Sequence, residues 1–377
     1  MAAALLVVVG ATFYAMINVA GFPNAPVVLL ASVVGVYMAM NIGANDVANN
    51  MGAAVGSGAL KMTSAIVIAA VFEAAGALIG GGDVVDTISK GIIDPAAFSD
   101  SGQFIRLMLA ALLAAAVWIN LATWVGAPVS TTHSIVGGVL GAGLAAAGMS
   151  SANWPVMGKI AASWVISPLL GAIVAAVFLA AIKAAIVYRQ DRVTAAKKWV
   201  PVLVGILGAA FAAYLSIKGL KHVWRPDMAT ISLVSLVTFG LIHAIVRPMV
   251  AASAKTMENT RQDVSRLFTI PLICAVALLC FAHGSNDVAN AIGPLAAIVH
   301  SSSESGIAVK VNIPHWVMLL GALGLTAGLG IYGAKMVRKV GYEITEIDRI
   351  RAFAVALSSS ITVIFASALA LPVSSTH

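Results

Sequence analysis

Apolar residues fill this chain in runs of roughly 20, a length that suits helices crossing a bilayer rather than barrel strands. The pattern predicts spans over 1–20, 27–60, 62–82, 104–126, 128–149, 159–187, 199–219, 228–246, 267–300, 313–334 and 352–371. Two of these, 27–60 and 267–300, are too long for one straight crossing. Each has a polar octapeptide in its middle. The first reads Gly43-Ala44-Asn45-Asp46-Val47-Ala48-Asn49-Asn50, the second Gly284-Ser285-Asn286-Asp287-Val288-Ala289-Asn290-Ala291. Glycines surround both, and Pro294 follows the second. The expectation is a helix broken at each octapeptide, with a half-helix starting near Val47 and aiming its positive dipole end at the break.

A second pair of motifs accompanies the first. Ala127-Pro128-Val129-Ser130-Thr131-Thr132-His133 recurs as Leu371-Pro372-Val373-Ser374-Ser375-Thr376-His377. Asp46 and Asp287 are 241 residues apart, Pro128 and Pro372 244. Two unlike motifs at nearly one offset indicate a duplicated unit.

Composition settles the setting of these runs. The chain is 60% hydrophobic and only 10% charged, with mean hydropathy +0.98. A soluble domain is nearer a quarter charged, so this is an all-α integral membrane protein of about 11–12 transmembrane helices. The net charge of +7 does not argue for nucleic acid, because Lys and Arg sit in short loops. Loops 188–198, 247–266 and 335–351 are basic and expected inside; loop 83–103, with Asp83, Asp86, Asp94 and Asp100 against Lys90, is expected outside. This puts the N-terminus in the cytoplasm, with the 220–227 loop, bearing Lys221 and Arg225, as a mild objection. No basic n-region precedes Lys61, so residues 1–20 read as a retained span. Cys274 and Cys280 lie too far apart on one helix for a disulfide.

The acidic outer loop and the basic inner loop 335–351 fall at matching places in the two units, so the repeats face opposite ways. Inverted repeats with interrupted or re-entrant helices mark secondary transporters, whose site lies near the midplane. The expected organisation is an additional N-terminal span over 1–21, a first repeat over 22–187, central helices and cytoplasmic loops over 188–252, and a second, inverted repeat over 253–377. The first repeat continues well past His133, so the native chain is expected to extend beyond His377.

The motif chemistry follows from the bilayer. Asp46 and Asp287 are costly in lipid unless they face one another, a cavity or an ion. Carboxylate and amide oxygens, with no Cys or His in ligand spacing, suit Na⁺ better than a softer metal. A lone Asp46 could merely cap a buried helix end; two at matched positions favour a site. Ser130, Thr131 and Thr132, following Pro128, offer hydroxyls and free N–H groups to a partly protonated oxyanion. Ordinary capping and helix–helix bonding is the other reading. None of the four motifs contains Lys or Arg. An anion beside the aspartates therefore needs accompanying cations, sodium or protons. Glu73, mid-span without a visible counterpart, is a further candidate; His133, His283 and His377 border the motifs as packing residues or substrate ligands. An intramembrane serine enzyme is disfavoured, since no Gly-x-Ser-x-Gly elbow exists; an anion channel is the remaining class.

The paired Asn-Asp-Val-Ala-Asn and Pro-Val-Ser-(Thr/Ser)-Thr-His motifs resemble the inorganic phosphate transporter (PiT) family, over 27–187 and 253–377. Lys90-Gly91-Ile92-Ile93-Asp94 and Ala162-Ser163-Trp164-Val165-Ile166-Ser167-Pro168 match it too. The resemblance implies secondary transport of inorganic phosphate, usually sodium-driven, with functional Asp46, Asp287 and Glu73. The Gly-Ala-Asn-Asp form looks like sodium-coupled members; a sulfate-transporting branch shares the fold, and proton-coupled phosphate or sulfate permeation is the alternative. Ala356 stands where some members carry a second glutamate. The expected protein is a sodium:phosphate symporter of the cell membrane. Asp46, Asn49, Asp287 and Asn290 would hold sodium. Asn45, Ser130, Thr131, Thr132, Asn286, Ser374, Ser375 and Thr376 would hold phosphate. No cofactor is expected beyond the co-transported ion, and a homodimer is left open.

Overall fold

A computed structural model describes residues 2–376 apart from 23, 83, 86, 95–96, 99, 219–225, 304–312 and 345. Asp83, Asp86, Lys221, Arg225 and His377 lie outside the described residues, as does the side chain of Lys90. The chain is helical in the order α1 (Ala2–Val19), α2 (Ala25–Gly56), α3 (Met62–Gly80), α4 (Ser101–Val125), α5 (Thr131–Ala147), α6 (Trp154–Ile182), α7 (Arg192–Lys218), α8 (Met228–Ser253), α9 (Arg261–Leu267), α10 (Thr269–Ser303), α11 (His315–Glu343) and α12 (Arg349–Ala368). Ten of the described helices are long and apolar enough to cross a membrane. Cys274 and Cys280 stay free.

The expected break at the octapeptides does not occur. α2 and α10 run unbroken through both, over 32 and 35 residues, roughly 48 and 52 Å at 1.5 Å per residue. The helical backbone continues through both octapeptides, interrupted only by the N–H that Pro294 lacks, so no half-helix starts near Val47. The glycines serve close packing instead. A Cβ on Gly43 would collide with the Leu325 carbonyl of α11, and one on Gly284 with the Glu73 carbonyl of α3. Gly328 meets the Met40 carbonyl and Gly76 the Phe281 carbonyl in the same way.

Those contacts set the helix directions. Along α2 and α11, Met40 meets Gly328 and Gly56 meets Gly341; along α3 and α10, Gly76 meets Phe281 and Gly81 meets Val288. Both pairs therefore run parallel. Since α2 and α3 are joined by a tight turn and run oppositely, the two octapeptide helices are antiparallel. This is inverted topology, read from contacts alone.

The breaks lie at the second motif. α4 ends at Gly126 in left-handed backbone (φ 77°), and α5 begins at Thr131. α5 then returns alongside α4, so that Gln103 Nε2 donates to Ala146 O at 3.1 Å. At 17 residues α5 is shorter than a full crossing. The two helices form a re-entrant hairpin with residues 126–130 at its tip.

α10 is the centre of the bundle and α8 its rim: buried residues make up 89% of the most apolar stretch of α10 and none of that of α8. The three basic loops gather at one end. Arg192 Nη1 donates to Asn259 O at 3.2 Å, and Arg261 pairs with Asp348 at 3.0 Å. Residues 92–94 lie with 148–153 at the other end, where Asp94 N donates to Ser151 O at 2.8 Å.

Candidate functional site

The tip of the α4–α5 hairpin and its counterpart after α12, residues 369–376, called the second tip below, are each pinned to an octapeptide helix by asparagine. Asn45 Nδ2 donates to Thr123 Oγ1 (2.9 Å) and Ala127 O (3.1 Å), while its Oδ1 accepts from Val129 N (3.0 Å). Asn286 Nδ2 donates to Ser367 Oγ (2.9 Å) and Leu371 O (3.3 Å). The two Asn286 bonds repeat the Asn45 bonds to Thr123 and Ala127 one repeat apart. Asn45, expected on the anion, thus spends its amide on positioning one tip, and Asn286, expected there too, spends its Nδ2 on the other.

The tips also cross over between repeats. Thr132 Oγ1 donates to Val373 O (3.0 Å), and Thr376 Oγ1 to Val129 O (3.2 Å). Asn49 Nδ2 donates to Thr376 Oγ1 (3.1 Å) and Ser375 Oγ (3.3 Å); Asn290 Nδ2 donates to Thr132 Oγ1 (3.1 Å) and Thr131 Oγ1 (3.4 Å). Each repeat's second asparagine therefore reaches the opposite repeat's hydroxyls. Ser130 caps α5 by accepting from His133 N at 3.0 Å, and Ser374 Oγ accepts from Thr376 N at 3.2 Å. The positive helix end expected at Val47 is here, at Thr131.

The aspartates meet at this crossing. Thr131 Oγ1 lies 2.7 Å from Asp46 Oδ2 and 3.4 Å from Asp287 Oδ2. Asp46 Oδ1 accepts from Asn49 Nδ2 (3.2 Å) and Thr376 Oγ1 (3.4 Å). Thus Asp46, Asn49, Asp287, Asn290, Thr131, Thr132, Ser375 and Thr376 form one polar cluster, with both carboxylates buried to 1% exposure.

His283 is the residue that sequence reasoning undervalued. Fully buried, its Nε2 lies 3.6 Å from Asp46 Oδ2 and 3.4 Å from Asp287 Oδ2, and its Nδ1 lies 3.3 Å from Glu73 Oε1. One ligand atom each from Asp46, His283 and Asp287 falls within 4.8 Å of the others. Asn50 Nδ2 donates to the same Glu73 oxygen at 2.8 Å. Both residues carried a signal: they stand where the other octapeptide copy has Ile42 and Ala291. His133, by contrast, packs on the Trp164 ring, centroids 3.6 Å apart.

The cluster holds three carboxylates and one imidazole, with no Lys or Arg in any of the motifs. Asn50 Oδ1, Glu73 Oε2, Asn286 Oδ1 and Asn290 Oδ1 are buried acceptors without a donor among the described residues. Desolvated anions and bare acceptor oxygens call for cations or protons.

A model of the "Phosphate transporter family" matches residues 42–377. The chain belongs to the phosphate transporter family. This family member is 50% identical over 380 residues to the "Putative phosphate permease" of Helicobacter pylori (strain J99), covering all of this chain and 71% of that one. A second "Putative phosphate permease", from Pyrococcus abyssi, is 38% identical over 352 residues, covering 93% of this chain and 86% of that one. A solved structure described as "The sodium-dependent phosphate transporter" superposes with a TM-score of 0.88 at 34% identity, covering 93% of this family member and 87% of that chain. The family and fold are those of a multi-pass membrane transporter rather than an enzyme.

Proposed function

We propose that this protein is a sodium-coupled inorganic phosphate symporter of the cell membrane, working by alternating access with its N-terminus in the cytoplasm. The observation that carries it is the cluster itself: two inverted sets of Asp, Asn and Ser/Thr joined at one crossing, rich in acceptor oxygens and free of Lys and Arg. Sodium would sit at Asp46 with Asn49 and at Asp287 with Asn290. Phosphate would take hydroxyls of Ser130, Thr131, Thr132, Ser374, Ser375 and Thr376 and the N–H groups that open α5. Asn45 and Asn286 would act through the tips they hold.

Coupling follows from Coulomb's law. A phosphate anion next to two aspartates is repelled strongly in a low dielectric, so it stays only once cations have neutralised them. Inverted repeats sharing one site let either face open by rocking one repeat on the other. The likeness to a structure described as sodium-dependent supports the choice of ion.

A proton-coupled mode is favoured by one observation, the imidazole of His283 between Asp46, Asp287 and Glu73. Labelled-phosphate uptake into proteoliposomes separates the two. Under the sodium reading, an inward sodium gradient drives uptake at matched pH, and excess sulfate does not compete. Uptake driven equally well by an inward proton gradient without sodium would overturn it.

A further inference from the structure

At the basic end of the bundle, Thr194, Lys197 and Lys198 of α7 and His243, Arg247 and Ala251 of α8 line one cavity of about 490 Å³. Lys197 is half-buried; Lys198 and Arg247 are exposed. Three cations in one concavity repel one another, and three aspartates at this end are held by other groups. Asp348 pairs with Arg261 at 3.0 Å and Asp263 with Arg266 at 3.3 Å. Asp191 caps α7 by accepting from Thr194 N at 2.9 Å. That bond, with help from Lys197 nearby, holds the Asp191 carboxyl below its ordinary range. Among the described residues, none of the three cations is in an ion pair. The cavity is large enough for a small ligand and its charge selects an anion.

The setting says where that anion comes from. Lys197 and Lys198 lie in the second turn of α7, where the apolar stretch begins. The Trp199 ring lies 5.7 Å from Lys198 Nζ, an aromatic at the depth where interfacial rings collect. On the face of Arg247, three and four turns earlier, α8 exposes Leu236 and Leu233, 68% and 61% bare, on a helix whose most apolar stretch holds no buried residue. We propose that this pocket binds the phosphate headgroup of an anionic phospholipid, with the acyl chains lying along the bare face of α8. Arg247 presents a planar fork matched to two phosphate oxygens, and the two lysines add point charges. Basic pockets between helices where they leave the bilayer hold such headgroups. The pocket shares no residue with the four motifs, so it stands or falls apart from the transport reading.

The test is thermal unfolding of the purified protein in neutral detergent, titrated with phosphatidylglycerol, phosphatidylcholine or inorganic phosphate. Phosphatidylglycerol raises Tm saturably and phosphatidylcholine does not. Replacing Lys197→Gln, Lys198→Gln and Arg247→Gln together weakens the phosphatidylglycerol response by roughly a hundredfold in apparent affinity. Arg189→Gln, Lys255→Gln and Arg338→Gln together, an equal loss of charge at the same end, leave it intact. If the first triple variant does not fold, Arg247→Gln alone carries the test with about a fivefold weakening. Equal responses to the two lipids, or a phosphatidylglycerol response that survives the triple substitution, would overturn the proposal. So would stabilisation by inorganic phosphate that vanishes in the triple variant, because the pocket would then be a free-anion site.

Discussion

Asn45 ties α2 to its hairpin tip through Thr123 and Ala127, and Asn286 ties α10 through Ser367 and Leu371. Thr132 and Thr376 exchange tips, and Asn49 and Asn290 reach across. This layer is duplicated except for one bond, that of Val129 N to Asn45 Oδ1. Against it stands a layer present once. His283, Glu73 and Asn50 form a buried chain in which His283 opposes Ile42 and Asn50 opposes Ala291. Glu73 opposes Leu325, because each lends its carbonyl to the glycine that opens an octapeptide. The paired layer is what the proposed alternating access needs. The single layer breaks the symmetry of their meeting point, since only the second repeat supplies an imidazole there, 3.6 Å from Asp46 and 3.4 Å from Asp287.

The largest expected effect tests the paired layer. Asp46→Asn and Asp287→Asn each lower sodium-driven phosphate uptake by about a hundredfold or more, as loss of a charged, buried ligand does, while the protein still elutes as a folded species. Normal uptake by either variant would break the equivalence of the two halves.

Next comes the single layer. His283→Ile leaves Glu73 buried beside Asn50 without its imidazole and lowers stability by about 3 kcal/mol. Adding Glu73→Leu, which copies the other repeat, recovers most of that loss. A double-mutant cycle by thermal unfolding reads the coupling; additive losses would mean that His283 and Glu73 act independently.

Smaller effects grade the ties. Asn45→Ala removes three bonds and costs about 2–3 kcal/mol, whereas Asn286→Ala removes two and costs about 1–2 kcal/mol. Denaturant midpoints measure the difference, and the reverse order would show that the tips are not held as described. Gly43→Ala and Gly284→Ala each force a carbonyl aside and cost about 1–3 kcal/mol. Near-equal losses sharpen the case that the helix packing is duplicated even where the side chains are not.

Hydropathy and repetition, both local, already determined that the chain is a membrane-embedded helical bundle with two inverted copies of one unit. They also singled out Asp46, Asn49, Asp287, Asn290 and the Ser/Thr clusters as groups that a bilayer does not tolerate apart. A run of apolar residues and a motif spacing are properties of one segment, so they survive in the sequence. The course of α2 and α10 through their octapeptides was decided by tertiary contact: glycine there admits a neighbouring carbonyl, and only the neighbour distinguishes packing from breaking. The same holds for the tie of Asn45 to Ala127, the junction of His283 with Glu73, and the basic pocket between α7 and α8. Each joins groups distant along the chain, and direction and distance between segments are set by how the helices pack against one another.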